Sequence, residues 1–81
     1  MQTVDETLSL LQRQVELETA MRQPGGIRIT EEQQLHHLRQ QLKQFPEAVQ
    51  AVMEAAHALR RPVTLLTATE VERWANPAAV A

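Results

Sequence analysis

The fold is decided by residues 35–59, which read LHHLRQQLKQFPEAVQAVMEAAHAL. Apolar side chains recur in this stretch at alternating spacings of three and four residues, which places them on one helical face. They are Leu35, Leu38, Leu42, Phe45, Val49, Val52, Ala56 and Leu59. The series continues through Pro46, although a proline inside a helix removes a hydrogen bond and costs about 3 kcal/mol. The sequence therefore predicts either one helix kinked at Pro46 or two helices that abut there, with Pro46 in the first turn of the second.

The residues before this stretch predict a helical hairpin. Thr3 and Glu6 have the spacing of a capping box, which favours a helix start at residue 4. Pro24-Gly25-Gly26 cannot continue a helix, and Thr30 offers the next N-cap. Because short connections usually return the chain, we expect the first two helices to be antiparallel.

The residues after this stretch predict a short C-terminal helix. Pro62 ends the long helical stretch, and Thr67 with Glu70 forms a further capping box. Leu66 and Val71 stand at the positions of a hydrophobic staple, which fixes the entry of the chain into a helix. Trp74 is the largest apolar side chain, so we expect it to anchor this helix on the alanine-rich residues 48–59.

These signals together predict an all-α protein without strands. Residues 1–76 are expected to form a single small helical domain, and residues 77–81 a frayed tail. The predicted helices are residues 4–23, 31–45, 46–60 and 68–75. The predicted core is Leu8, Leu11, Val15, Leu35, Leu38, Leu42, Phe45, Val49, Val52, Ala56, Leu59 and Trp74.

The alanine-rich residues 48–59 also predict an interaction surface. Their only polar members are Gln50, Glu54 and His57, and a helix that is apolar nearly all round needs cover on more than one side. We therefore expect a homodimer, as a dimeric helix bundle, or a complex with a helical protein partner. The expected partner-binding residues are Val49, Val52, Met53, Ala56, Leu59 and Trp74.

Composition narrows the possible functions. The chain has 81 residues, of which 43% are hydrophobic and 22% charged. These fractions are those of ordinary globular proteins. The formal net charge is −2, so the chain lacks the basic excess typical of nucleic-acid binding. The absence of cysteine excludes disulfides and thiol chemistry. The acidic N-terminus and the lack of long apolar runs favour a cytoplasmic protein that does not enter membranes.

The candidate chemical motifs are better explained by structure than by catalysis. Glu54 and His57 have the Glu-x-x-His spacing of di-iron bundles, but their helical phase directs them away from the predicted core. His36 and His37 diverge by about 100° on a helix and are expected to face solvent. The Pro-Gly-Gly stretch is turn chemistry, because Glu31 and Glu32 would repel a phosphate. We therefore expect no catalytic residues, no metal and no cofactor.

Nucleic-acid binding is the main alternative function. Residues 65–74, LLTATEVERW, resemble the opening helix of excisionase-like and MerR-like helix-turn-helix domains, but Asn76-Pro77 follows in place of a basic recognition helix. Arg60 and Arg61 would supply a basic patch, which a dimeric transcriptional regulator would double. The favoured interpretation is a non-catalytic protein–protein interaction module such as an adaptor, co-chaperone or regulatory subunit.

Overall fold

The computed structural model describes residues 3–75, and this part of the chain is all-α, as the sequence predicts. It contains four α-helices and one turn of 3-10 helix, and no strand occurs within it. The helices are α1 (Val4–Met21), α2 (Ile29–Lys43), α3 (Pro46–Leu59) and α4 (Ala68–Ala75). The predicted tail at residues 77–81 lies outside the described residues.

Helix α1 begins where its capping signal places it. The Thr3 hydroxyl accepts a hydrogen bond of 3.1 Å from the Glu6 backbone N–H. This bond satisfies one of the free N–H groups of the first turn. The helix ends at Met21, two residues before the expected position. Gly25 and Gly26 both have positive φ angles, of 101° and 61°. The turn that follows the helix therefore needs residues without a Cβ.

Helix α2 begins at Ile29, which corrects the expected N-cap at Thr30. The N-cap is Arg28, whose backbone N–H donates to the Glu31 carboxylate at 3.1 Å. Thr30 is the second residue of the helix. The Glu31 carboxylate, at the third helical position, accepts the hydrogen bond of the Arg28 N–H. The helix therefore begins two residues earlier than it would with Thr30 as its N-cap.

The chain breaks at Gln44 and Phe45, and α3 begins at Pro46. Phe45 leaves helical geometry with φ -131° and ψ 58°. Pro46 occupies the first turn, where its missing N–H costs nothing. At the other end, the Arg61 N–H bonds the Ala56 carbonyl at 3.0 Å and the Arg60 N–H bonds that of His57 at 3.2 Å. Arg60 lies in the left-handed region, at φ 54° and ψ 42°. This arrangement is a Schellman motif.

A 3-10 turn at Val63–Leu65 connects α3 to α4. The Gln12 side-chain amide donates to the carbonyl oxygens of both Val63 and Leu66, at 3.0 Å each, and so ties this turn to α1. The start of α4 follows its predicted capping box. The Glu70 N–H donates to the Thr67 hydroxyl at 3.2 Å, and the Thr67 N–H donates to the Glu70 carboxylate at 3.3 Å.

The core consists of two apolar clusters that share α1 as their common wall. The larger joins α1, α2, α3 and α4 through buried side chains: Leu8, Leu11, Leu42, Val52, Ala55, Ala56, Leu66 and Val71. The smaller joins α1 and α2 through Leu17, Leu35 and Leu38. Leu10 packs against both clusters. The threonine hydroxyl of Thr7 is also fully buried and has no hydrogen-bond partner within the described residues.

Two predicted core residues are instead exposed. The placement of Leu59 and Trp74 in the core is wrong, because their side chains are 39% and 36% exposed. Val71 is fully buried, so the staple pair Leu66 and Val71 anchors α4 in the larger cluster. Three others are only half-buried: Val15, Phe45 and Val49. The predicted core also omits four buried apolar residues, Leu17, Ala55, Leu66 and Val71.

Candidate partner-binding surface

Met53 lies where three grooves of the described surface meet. Its side chain is 50% exposed at the middle of α3. It lines three adjoining shallow grooves, which we name the proximal groove, the distal groove and the Trp74 groove. The three together are the Met53 surface.

The proximal groove forms where the chain breaks between α2 and α3. It has a volume of about 490 Å³ and receives side chains from α1, α2 and α3. Its lining residues are Leu11, Gln14, Arg39, Leu42, Lys43, Pro46, Val49, Gln50 and Met53. Leu11 and Leu42 belong to the core, so the groove is backed by well-packed side chains and is open to solvent above them.

The other two grooves continue along α3. The distal groove, of about 590 Å³, lies between the end of α3 and the 3-10 turn and is lined by Met53, Ala56, His57, Arg60, Arg61, Pro62 and Val63. The Trp74 groove, of about 500 Å³, lies between α3 and α4 and is lined by Gln50, Met53, Glu54, His57, Ala58 and Trp74. The Met53 surface therefore follows α3 along its length, with α4 on one side.

The charges on this surface are unevenly distributed. Arg39 and Lys43 line the proximal groove and Arg60 and Arg61 the distal groove, whereas no described carboxylate lines either one. Glu54 lines the Trp74 groove, where its carboxylate accepts a hydrogen bond of 2.9 Å from the Gln50 amide. The two grooves lined by cations are thus a positive region on a chain of net charge −2.

Two of the four cations are held in ion pairs. Arg39 lies 3.2 Å from the Glu18 carboxylate of α1, and Arg61 lies 2.9 Å from the Glu70 carboxylate of α4. The Gln14 amide donates to Glu18 at 2.9 Å. This bond has the largest effect on the pKa of Glu18 and lowers it; burial, the next in size, opposes the shift, and Arg39 and Arg22 lower the pKa further, so that it lies below its ordinary value. Lys43 and Arg60 make no ion pair within residues 3–75.

The predicted partner-binding residues divide between this surface and the core. Val49, Met53, Ala56 and Trp74 line the grooves. Val52 is fully buried in the larger cluster and is not accessible to a partner. Leu59 is partly exposed but lines none of the three grooves.

The sequence prediction missed the contributions of α1 and α2 to this surface. Leu11 and Leu42 were predicted as core residues only, and Lys43 was given no role. Their spacing shows that they lie on helical faces, but it does not show that the break at Pro46 opens a groove beside them. The proline was the available signal, since it marks the junction at which one helix ends and the next begins.

The residues of the other candidate sites are exposed. Glu54, His57, His36 and His37 are all solvent-exposed. Residues 3–75 contain no group of three or more histidine, cysteine, aspartate or glutamate side chains placed to hold a metal ion. The nucleic-acid alternative depends on Arg60 and Arg61. Arg61 forms an ion pair with Glu70, so only Arg60 would be available for a phosphate without breaking an ion pair of the described residues.

None of the described helices combines the length and apolar character needed to cross a membrane. Comparisons with protein-family models, with curated proteins and with solved structures found no match to this chain. Arguments about function therefore depend on the residues and the geometry of the Met53 surface.

Proposed function

We propose that the protein is a non-catalytic protein–protein interaction module, an adaptor or regulatory subunit of the cytoplasm, and that it binds a helix of its partner on the Met53 surface. The observation that carries the proposal is the half-exposed Met53 side chain at the junction of three grooves. Connected apolar grooves rimmed by polar groups are typical of protein-binding sites. The unbranched methionine side chain adapts to the shape of a bound helix.

The same proposal includes a rigid scaffold behind the surface, an antiparallel hairpin of α1 and α2. Two sets of contacts support it: Leu17, near the end of α1, shares a cluster with Leu35 and Leu38, whereas Leu11 shares a cluster with Leu42. Contacts that move back along α1 as they advance along α2 are those of antiparallel helices. On binding, the backbone of this hairpin would keep its conformation, and only the partner and the exposed side chains of the Met53 surface would change theirs.

The proposal is tested by comparing two substitutions of exposed apolar residues. Met53→Asp places a charge at the centre of the surface, whereas Ile29→Asp places one at the start of α2, on a side chain that is 73% exposed. A protein retained from the native host by the wild-type chain would be identified, purified and titrated against each variant. We expect Met53→Asp to weaken binding by at least about tenfold, as for the loss of a central hot spot, and Ile29→Asp to leave it unchanged.

Self-association is measured in parallel by sedimentation velocity, so that a second copy is treated like any other partner. Circular dichroism of both variants establishes that they remain folded. Equal binding by wild type and Met53→Asp, to the purified partner and to a second copy, contradicts the proposal.

A further inference from the structure

Resting on the proposed function, we propose that the partner of the Met53 surface is an acidic amphipathic helix of another protein, which lies along α3 over the proximal and distal grooves. Its apolar face would pack on Val49 and Met53. Its carboxylates, one near each end, would meet Lys43 at one end and Arg60 at the other.

The length of the surface fits a helix of about four turns. Helix α3 has 14 residues. A helix of that length measures roughly 21 Å, since each residue adds about 1.5 Å. The proximal groove lies at its Pro46 end and the distal groove at its Pro62 end, with Met53 lining both. A bound helix of similar length presents apolar side chains at spacings of three and four residues to this whole span.

The charges select an acidic helix. The lining of the two grooves contributes two cations at each end and no carboxylate among the described residues. At each end one cation is already paired within the chain, so Lys43 and Arg60 are the cations that remain for a partner. Of the nearby carboxylates, Glu18 and Glu70 are already paired with Arg39 and Arg61, and Glu54 lies in the Trp74 groove. The acidic edge of the bound helix would therefore face α2 and the 3-10 turn, away from Glu54.

The same charges disfavour a second copy as the partner. A symmetric dimer buries the same patch of both copies. If the two α3 helices were antiparallel, the proximal groove of one copy would oppose the distal groove of the other. If they were parallel, each groove would oppose its own equivalent. Both arrangements place cations against cations, which is unfavourable in a partly desolvated interface.

The test uses two fluorescein-labelled synthetic peptides of about 18 residues, each with the same alanine and leucine helical pattern. One carries two glutamates near each end, and the other carries lysines at those positions. Binding is followed by fluorescence polarisation at low salt and again at high salt. We expect the glutamate peptide to bind roughly tenfold more tightly than the lysine peptide, with a preference that salt weakens.

Charge reversal of the protein locates the contact. Lys43→Glu and Arg60→Glu should each remove most of the preference for the glutamate peptide, and the double variant should prefer the lysine peptide. Arg28→Glu is the matched control, because it makes the same charge change at an exposed residue before α2, outside the grooves, and should have no effect.

The outcomes separate this inference from the proposed function. Equal affinity for the two peptides, or a preference that Arg28→Glu removes as effectively as Lys43→Glu, overturns the acidic-helix partner even if Met53 proves essential for binding a native partner. Self-association that Met53→Asp abolishes also overturns it, in favour of a second copy. Charge-selective binding that Met53→Asp leaves unchanged instead contradicts the proposed function.

Discussion

Replacing Thr7 by valine is expected to stabilise the protein. The Thr7 side chain is fully buried in the first half of α1, and its hydroxyl has no hydrogen-bond partner among the described residues. A buried hydroxyl without a partner costs about 1–3 kcal/mol, according to mutational measurements in proteins. Valine has nearly the same shape and a similar helix propensity, so the substitution removes this cost and leaves the helix intact.

The expected gain in the free energy of unfolding is about 1 kcal/mol, the lower end of that range. For a domain of this size such a gain raises Tm by roughly 4–8 °C. Urea unfolding followed by circular dichroism measures the free energy, and a thermal scan measures Tm. Thr19→Val is the matched control, because Thr19 is an exposed threonine of the same helix. Its substitution should change stability by less than about 0.5 kcal/mol.

The size of the side chain is tested separately from its polarity. Thr7→Ala also removes the hydroxyl but leaves a cavity, so it should be less stable than Thr7→Val. A Thr7→Val protein with unchanged or reduced stability would refute the reasoning, since it would mean that the hydroxyl makes a favourable interaction in the folded protein.

Three further substitutions test the packing and the electrostatics. Val71→Ala should reduce the free energy of unfolding by about 2 kcal/mol, because Val71 is fully buried in the larger cluster. A loss below about 0.5 kcal/mol in urea unfolding would contradict this. Gln12→Ala should cost about 1–2 kcal/mol, since two carbonyl oxygens lose their donor, whereas Gln40→Ala on the exposed face of α2 should cost little. The lowered pKa of Glu18 contributes stability that is fully present above its ordinary value of 4.5 and is lost as the pH falls through the lowered pKa. The urea midpoint of the wild type should therefore fall between neutral and acidic pH by more than that of Glu18→Gln. If the fall is the same in both proteins, Glu18 makes no pH-dependent contribution to stability.

The elements that local chemistry determines were predictable from the sequence. The N-cap hydroxyl of Thr3 and the capping box of Thr67 place the starts of α1 and α4, and Pro46 occupies the first turn of a new helix. The apolar series across Pro46 remains on the core side as far as Val52 and Ala56, which are fully or nearly buried, whereas its last member, Leu59, is exposed. Each of these features depends on a few neighbouring residues, which a single sequence contains.

The features that depend on tertiary packing were not predictable in the same way. Trp74 was assigned to the core by its size, but the position of Val71 on α4 determines which side chain points inward. The role of Gln12 requires the 3-10 turn to lie beside α1, which no spacing in the sequence indicates. Likewise, Lys43 acquires a place on the Met53 surface only because side chains of α1, α2 and α3 together form the proximal groove.

The left-handed backbone at Arg60 has a consequence for evolution and for engineering. Glycine adopts this conformation without the clash that a Cβ creates, so Arg60→Gly should make the folded protein more stable by about 1 kcal/mol. If the guanidinium group holds one end of a bound helix, the same substitution weakens recognition. Selection for a more stable protein would then favour glycine at residue 60, whereas selection for binding would retain arginine. Stability and binding affinity cannot both be improved by one substitution at this position.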